Sequence, residues 1–281
     1  MTFKAACVQN SATPDVHRDI ASLAVLIREA AGRGARFVAL PEYCAGLDSR
    51  DGLLYPVAPE EADHPVLPAM SAIAGELSIW LLVGSIGVKA ADGRINNRAY
   101  MFGPDGRIAA RYDKIHLFDV DLGPDKVYRE SATIAPGTRA VISPCAEGSI
   151  GLSICYDLRF AALYRAYAKA GAEMLATPAA FTRMTGEAHW HVLQRARAIE
   201  NGAFVISSAQ GGKHEDGRET YGHSLIVNPW GAVIAELDHD EPGFVTARID
   251  TEETLKARQR IPAIANERDF TLTQTGKEIE A

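Results

Sequence analysis

The chain has few of the features that mark common protein classes. Its 281 residues include only four cysteines, Cys7, Cys44, Cys145 and Cys155, and none forms a CxxC pair. That spacing gives neither a zinc site nor a disulfide framework, so the thiols read as reduced. Eight histidines are present, among them the HWH at 189–191, but there is no HExxH, and no metal is expected. GxGxxG, the P-loop and GxSxG are missing too, which leaves no support for a dinucleotide, a nucleoside triphosphate or a serine nucleophile. No organic cofactor is expected. The longest apolar run, SIWLLVGSIGV at 78–88, is too short to span a bilayer. The opening MTFKAACVQN lacks the charged and apolar regions of a leader, which reads as a cytoplasmic protein. Acidic and basic residues are mixed along the chain, net charge -7, with no basic stripe, so neither nucleic acid nor a membrane is an expected partner.

What is present is a core and a repeat. At 47% apolar residues the chain can bury a sizeable interior. LLVGSIGVKAADGRINNRAYMFGPDGRIAARYDK at 81–114 matches FVISSAQGGKHEDGRETYGHSLIVNPWGAVIAELD at 204–238. Each holds an apolar strand, a Lys followed by a DGR turn, a second strand, a Pro-x-Gly turn and a third strand. A looser echo pairs GARFVALPEY at 34–43 with GAEMLATPAAF at 171–181. Ile20, Leu23 and Ile27 recur at helical spacing before Gly32, as do Leu163 and Tyr167 before Gly171. A third helix is expected over 187–202, carrying Trp190, Leu193, Ala196 and Ile199. Alternating helices and strands predict an α/β fold with mixed sheets, and the repeat predicts two half-units: a four-layer αββα sandwich with its sheets face to face. No linker divides the chain. A single domain is expected over 1–270, with a detachable polar tail at 271–281.

Ligands of α/β sheets gather at the carboxyl ends of strands, which selects three residues. RFVAL runs into Glu42, GRIAARYD into Lys114 and GLSI into Cys155. Each alone has an ordinary explanation: a solvated carboxylate, a loop lysine, a buried thiol. Together they make a nucleophile with its helpers. A thiol needs a base or a nearby cation to attack, which Glu42 and Lys114 supply; Lys114 and the Tyr156 N–H could stabilise the resulting oxyanion. A helix following Cys155 would also favour the thiolate through its dipole.

PEY around Glu42, YDKIHLFD around Lys114 and GLSICYDLRF around Cys155 resemble, in order and separation, the signature segments of the nitrilase superfamily of carbon–nitrogen hydrolases. The resemblance runs from about residue 3 to about residue 270. It implies the same αββα sandwich, a homodimer or higher homo-oligomer, and a catalytic Glu42, Lys114 and Cys155, with Glu130 of YRESATIAPGT beside them. By spacing alone Glu130 is an ordinary loop residue. The implied reaction hydrolyses a carboxamide to acid plus ammonia through a thioester on Cys155, without a cofactor. FTRMTGEAHWHVLQRARAIEN followed by GGKHEDGRETYGHSLIVNPWG is similar to the branch of deaminated glutathione amidase and ω-amidase, with Tyr221 before GHS favouring the former. That branch implies Arg159 as the carboxylate-binding residue, the alternative being a salt bridge to Asp157 or another local acid, and Phe181 and Thr185 flanking the substrate. His116, Tyr43 and Tyr156 are candidate walls, with core packing as the alternative. An N-carbamoyl amino acid amidohydrolase or a nitrilase would share the three residues, and a catalytically silent binding or assembly module would share the fold.

Overall fold

The computed structural model describes residues 2–50, 53–123, 127–274 and 277–278. Two mixed sheets carry it. In the first, of seven strands, Ile95–Phe102, Trp80–Lys89, Phe37–Ala39, Thr2–Gln9 and Gly243–Asp250 lie side by side, with Ile134–Ala135 and Ile108–Asp113 both pairing with Ile95–Phe102. The second, of six, runs Val141–Cys145, Gly148–Leu152, Met174–Ala176, Phe204–Ser207, Leu225–Val227 and Val233–Glu236. Five α-helices are described: α1 Val16–Gly32, α2 Val66–Leu77, α3 Ala161–Lys169, α4 Arg183–Asn201 and α5 Glu252–Arg260.

The repeat holds strand by strand. Thr2–Gln9, Phe37–Ala39 and Trp80–Lys89 are parallel neighbours, as are Gly148–Leu152, Met174–Ala176 and Phe204–Ser207. Two antiparallel strands follow in each copy, Ile95–Phe102 with Ile108–Asp113 and Leu225–Val227 with Val233–Glu236. Parallel neighbours need crossover connections, and α1, α2, α3 and α4 provide them. The copies differ at their DGR hairpins. The first, closing Lys89 against Ile95, stays in its sheet, whereas Gly211–Lys213 and Glu219–Tyr221 form a separate ribbon.

Side-chain alternation along the strands orders the layers. Cys7, Phe37, Ala39, Leu82 and Met101 pack with Leu152, Met174 and Ile206 of the second sheet. The intervening Val8, Val38, Leu81 and Phe102 pack with Leu23 and Ile27 of α1 and Met70 and Ile73 of α2. Tyr164 and Tyr167 of α3 and Trp190 and Ala198 of α4 join the cluster of the second sheet. The order is helices, sheet, sheet, helices.

α1 begins at Asp15, whose carboxylate accepts from the His17 and Arg18 N–H groups, and it buries Leu23 and Ile27 as its spacing predicts. α4 departs from expectation. It buries Trp190, Gln194, Arg197, Ala198 and Asn201 and leaves Ile199 exposed. Polar residues on the inner stripe find partners there: Gln194 accepts from Ser207 Oγ (2.9 Å) and Arg197 donates to the Leu158 carbonyl (2.9 Å). α2 was not anticipated from the sequence; its Pro68 is tolerated because first-turn N–H groups have no helical acceptor. In the expected tail, Thr273–Gln274 pairs with Lys277–Glu278, while 275–276 and 279–281 lie outside the described residues. Among the described residues no helix is long and apolar enough to cross a membrane.

Gly84 is where the copies touch. A Cβ there would lie 2.0 Å from the Leu40 carbonyl oxygen, 2.4 Å from that of Pro41 and 2.5 Å from Pro178 Cβ. Backbone cannot yield as a side chain does, so Gly84→Ala is expected to destabilise the protein by about 3 kcal/mol in chemical denaturation, the upper range for overpacking. A change within experimental error would show that these loops move apart freely.

Candidate active site

Three segments leave their strands and converge between the sheets. Leu40 and Pro41 carry the chain past Phe37–Ala39 to Glu42, and the next residue, Tyr43, has φ +46°. Lys114 follows Ile108–Asp113, its N–H donating to the Asn97 carbonyl (2.9 Å) and its own carbonyl accepting from Gly137 (2.7 Å). Cys155 follows Gly148–Leu152, donates its N–H to the Pro178 carbonyl (2.8 Å) and takes φ +48°. A left-handed cysteine is disfavoured by of order 1 kcal/mol, and such strain persists only where surrounding contacts impose it.

Lys114 is the centre of the site. Its ammonium, 2% exposed, donates to Glu42 Oε1 and to both Glu130 oxygens, each at 2.9 Å. Asn97 Nδ2 donates to Glu42 Oε1 (2.9 Å) and reaches Glu130 Oε1 (3.4 Å). The remaining oxygen, Glu42 Oε2, accepts from the Ala180 N–H (3.0 Å), and Glu130 Oε2 accepts a second bond from the Phe118 N–H (2.6 Å). All three ionisable groups are buried, and such charges persist only when paired and hydrogen-bonded. Glu130 is therefore no solvated loop residue.

The electrostatics correct one expectation. Burial, then the Glu42 charge, push the Cys155 thiol well above its ordinary value, and Lys114 opposes them only in part. The resting nucleophile is a neutral thiol. The dipole expected to favour thiolate is weak here, because Cys155–Arg159 is a five-residue 3-10 turn preceding α3. Burial also opposes the Lys114 charge, but Glu130 and Glu42 outweigh it and raise the ammonium well above its usual range. For Glu130, burial outweighs Lys114 and raises the carboxyl.

Glu42, Lys114, Glu130 and Cys155 line a cavity enclosing about 770 Å³ with the solvent at its mouth, within the usual range for small-molecule sites. Tyr43, Tyr156, Phe181, Thr185 and Arg159 line it too. Arg159 does not pair with Asp157, whose carboxylate accepts from Tyr112 Oη (2.6 Å), the His116 N–H (3.0 Å) and the Ile154 N–H (2.9 Å). The guanidinium instead lies 5.4 Å from the Phe181 ring centroid and 5.8 Å from that of Tyr156, with His189 Nδ1 at 3.3 Å. Among the described residues no carboxylate pairs with it. Phe181 packs edge-on against Trp190 (5.0 Å), and Tyr156 against Phe118 (5.2 Å). Thr185 Oγ1 lies 2.9 Å from Thr182 Oγ1. His116 is a correction: its ring faces Asp157 (2.7 Å) and stacks on Phe160 (3.5 Å), and it is not among the cavity-lining side chains.

Sequence reasoning missed Asn97, Phe118, Tyr128 and Arg218. Asn97 left a readable signal, a polar residue at an inward position between Ile95 and Ala99. The histidine of HWH nearest a ligand cluster is His191, which shares Glu236 with His223 at 2.5 and 3.3 Å; the three could hold an ion, and none lines the cavity.

Charge assignments at Cys155 can be tested by its titration. Glu42→Gln should move the thiol down and Lys114→Met should move it up, read from thiolate ultraviolet absorbance with Cys155→Ala subtracted. An unmoved titration in both variants would remove these two groups as its controlling charges.

The comparisons with known proteins agree with this geometry. The carbon–nitrogen hydrolase family model matches residues 4–259. The chain is 38% identical to deaminated glutathione amidase of a Synechocystis strain over 267 residues, 93% of this chain and 97% of that one. It is 37% identical to human omega-amidase NIT2 over 268 residues, 95% of each chain. The crystal structure of Nit3 from Saccharomyces cerevisiae, described as a member of branch 10 of the nitrilase superfamily, superposes with a TM-score of 0.81 at 28% identity, covering 93% of this chain and 94% of that one. The chain belongs to the carbon–nitrogen hydrolase family, within the nitrilase superfamily.

Proposed function

We propose that this carbon–nitrogen hydrolase is a cysteine-dependent amidase whose substrate is a small amide bearing a carboxylate, of the deaminated glutathione or α-keto acid ω-amide type. One observation carries the reading: a thiol, a carboxylate and a doubly held ammonium share the cavity into which Arg159 also opens, with no carboxylate among the described residues paired to it. Names of the relatives support the substrate class. Residues 1–270 act as the single catalytic domain, and no organic cofactor takes part.

In this mechanism Arg159 binds the substrate carboxylate, fixing the amide carbonyl over Cys155 between Phe181 and Thr185. Sulfur attacks as its proton passes to Glu42, a transfer that general-base catalysis speeds by about 10²–10⁴. The oxyanion that forms meets the Lys114 ammonium and the Tyr156 N–H. Lys114 is kept charged by Glu130, which also fixes its direction. Glu42 then returns its proton to the departing nitrogen, the C–N bond breaks, and ammonia or an amine leaves a thioester on Cys155. Water, deprotonated by Glu42, attacks the thioester, and the acid and the free thiol are regenerated.

Exposed Val192, Ile199, Trp230 and Ile261 support self-association of the chain, and four free, buried cysteines suit a reducing, cytoplasmic setting. Sedimentation velocity is expected to give a dimer or larger species; a monomer at micromolar concentration would remove the oligomer.

Acid-product release from deaminated glutathione, α-ketoglutaramate, an N-carbamoyl amino acid and an aliphatic nitrile tests the function, compared by kcat/KM. Either keto-acid amide should lead. Cys155→Ala is expected to fold and lose turnover by 10³-fold or more, and Arg159→Ala to lose about 10–100-fold on carboxylate-bearing amides. Full activity in Cys155→Ala would overturn the mechanism, and a nitrile preference the substrate class.

A further inference from the structure

The two DGR turns of the repeat hold their arginines differently. Arg94 spends its guanidinium locally: Nε and Nη2 donate to Asp92 (2.9 and 2.8 Å), and Nη1 reaches the carbonyls of Ser131 (3.4 Å) and Ile134 (3.2 Å). Its counterpart Arg218 gives Nε to Asp216 (2.7 Å), but its buried Nη2 has no hydrogen-bond partner among the described residues. Arg218 also lines the cavity of Cys155. It arrives there because its hairpin has left the second sheet, Thr220 bridging instead to Thr182 at the start of α4. A buried guanidinium donor without an acceptor is strongly unfavourable and calls for one. Of the carboxylates around it, the wall residue Glu219 is occupied by Arg183 at 3.5 Å, and Asp48, whose charge Arg218 feels, by Arg50 at 2.8 Å.

We infer that Arg218 holds a second carboxylate of the substrate, one carried on the leaving-group side of the scissile amide. The inference rests on the amidase reading and narrows its substrate. A primary ω-amide of a dicarboxylic acid has one free carboxylate, which Arg159 takes, and its leaving group is ammonia, with nothing for Arg218 to grip. An N-substituted amide whose amine portion ends in a carboxylate, as in deaminated glutathione, satisfies both guanidinium groups. Arg218 is thus a specificity residue: it favours a peptide-like amide over a primary one by direct hydrogen bonding to a group only the former has.

Two measurements decide it. The first is the ratio of kcat/KM for deaminated glutathione to that for α-ketoglutaramate in wild type, Arg218→Met, Arg218→Lys and Arg94→Met. Arg218→Met should lower the ratio about tenfold or more, mostly through KM, Arg218→Lys should recover part, and Arg94→Met should keep the wild-type ratio. An unchanged ratio in Arg218→Met, or an equal fall in Arg94→Met, would overturn the inference. The second is calorimetric binding of deaminated glutathione to Cys155→Ala with and without Arg218→Met. About tenfold weaker binding in the double variant supports the inference even if wild type hydrolyses neither compound, in which case only the amidase reading fails. Equal affinities, or no binding by Cys155→Ala, would overturn it.

Discussion

A buried ammonium shared by two buried carboxylates is the constraint on which the rest of the structure depends. Lys114 is buried away from water, and among the described residues only Glu42 and Glu130 compensate its charge. Removing one member of such a group leaves an uncompensated charge, which costs about 3–5 kcal/mol in comparable buried pairs. The assembly also carries one more negative charge than positive when both carboxylates are ionised. Burial first, and the Glu42 charge after it, hold the nearby thiol in its protonated form, so reactivity is withheld until a substrate brings a carbonyl whose developing charge Lys114 can share. Stability and chemistry use the same contacts, and neither can be tuned without the other.

The repeat explains how the contacts are reached. Glu42 and Lys114 come from the first copy and Cys155 from the second, so the site exists only where the sheets meet face to face. The bonds joining it cross the interface: Ala180 N–H to Glu42 and Tyr112 Oη to Asp157. Gly84 allows the loops of both copies to approach. Where the copies must do different work, the symmetry is abandoned, most visibly in the second DGR hairpin.

How much of this was legible depended on whether a signal lay in local pattern or in distant pairing. The repeat and the helices α1 and α3 follow from periodicity that each segment carries by itself. Glu42, Lys114 and Cys155 were marked by their place after apolar strands. Glu130 could not be distinguished from a surface residue, because its importance comes from a lysine sixteen positions away. The inner face of α4 was misread because Gln194 and Arg197 are buried against partners on other elements, which no local pattern reveals. His116 failed for the same reason: proximity to Lys114 in sequence said nothing of Asp157.

The pairing of Thr2–Gln9 with Gly243–Asp250 carries a consequence for how the chain comes to be folded. Eight residue pairs join the beginning of the sequence to a strand more than 230 residues later. During synthesis the first strand can dock on Phe37–Ala39 early, but its other edge stays open until Gly243–Asp250 has emerged. For that interval an apolar strand presents unpaired backbone to any chain it meets. Nascent copies on neighbouring ribosomes would be vulnerable to mispairing there, and the late arrival of Gly243–Asp250 is what ends the exposure.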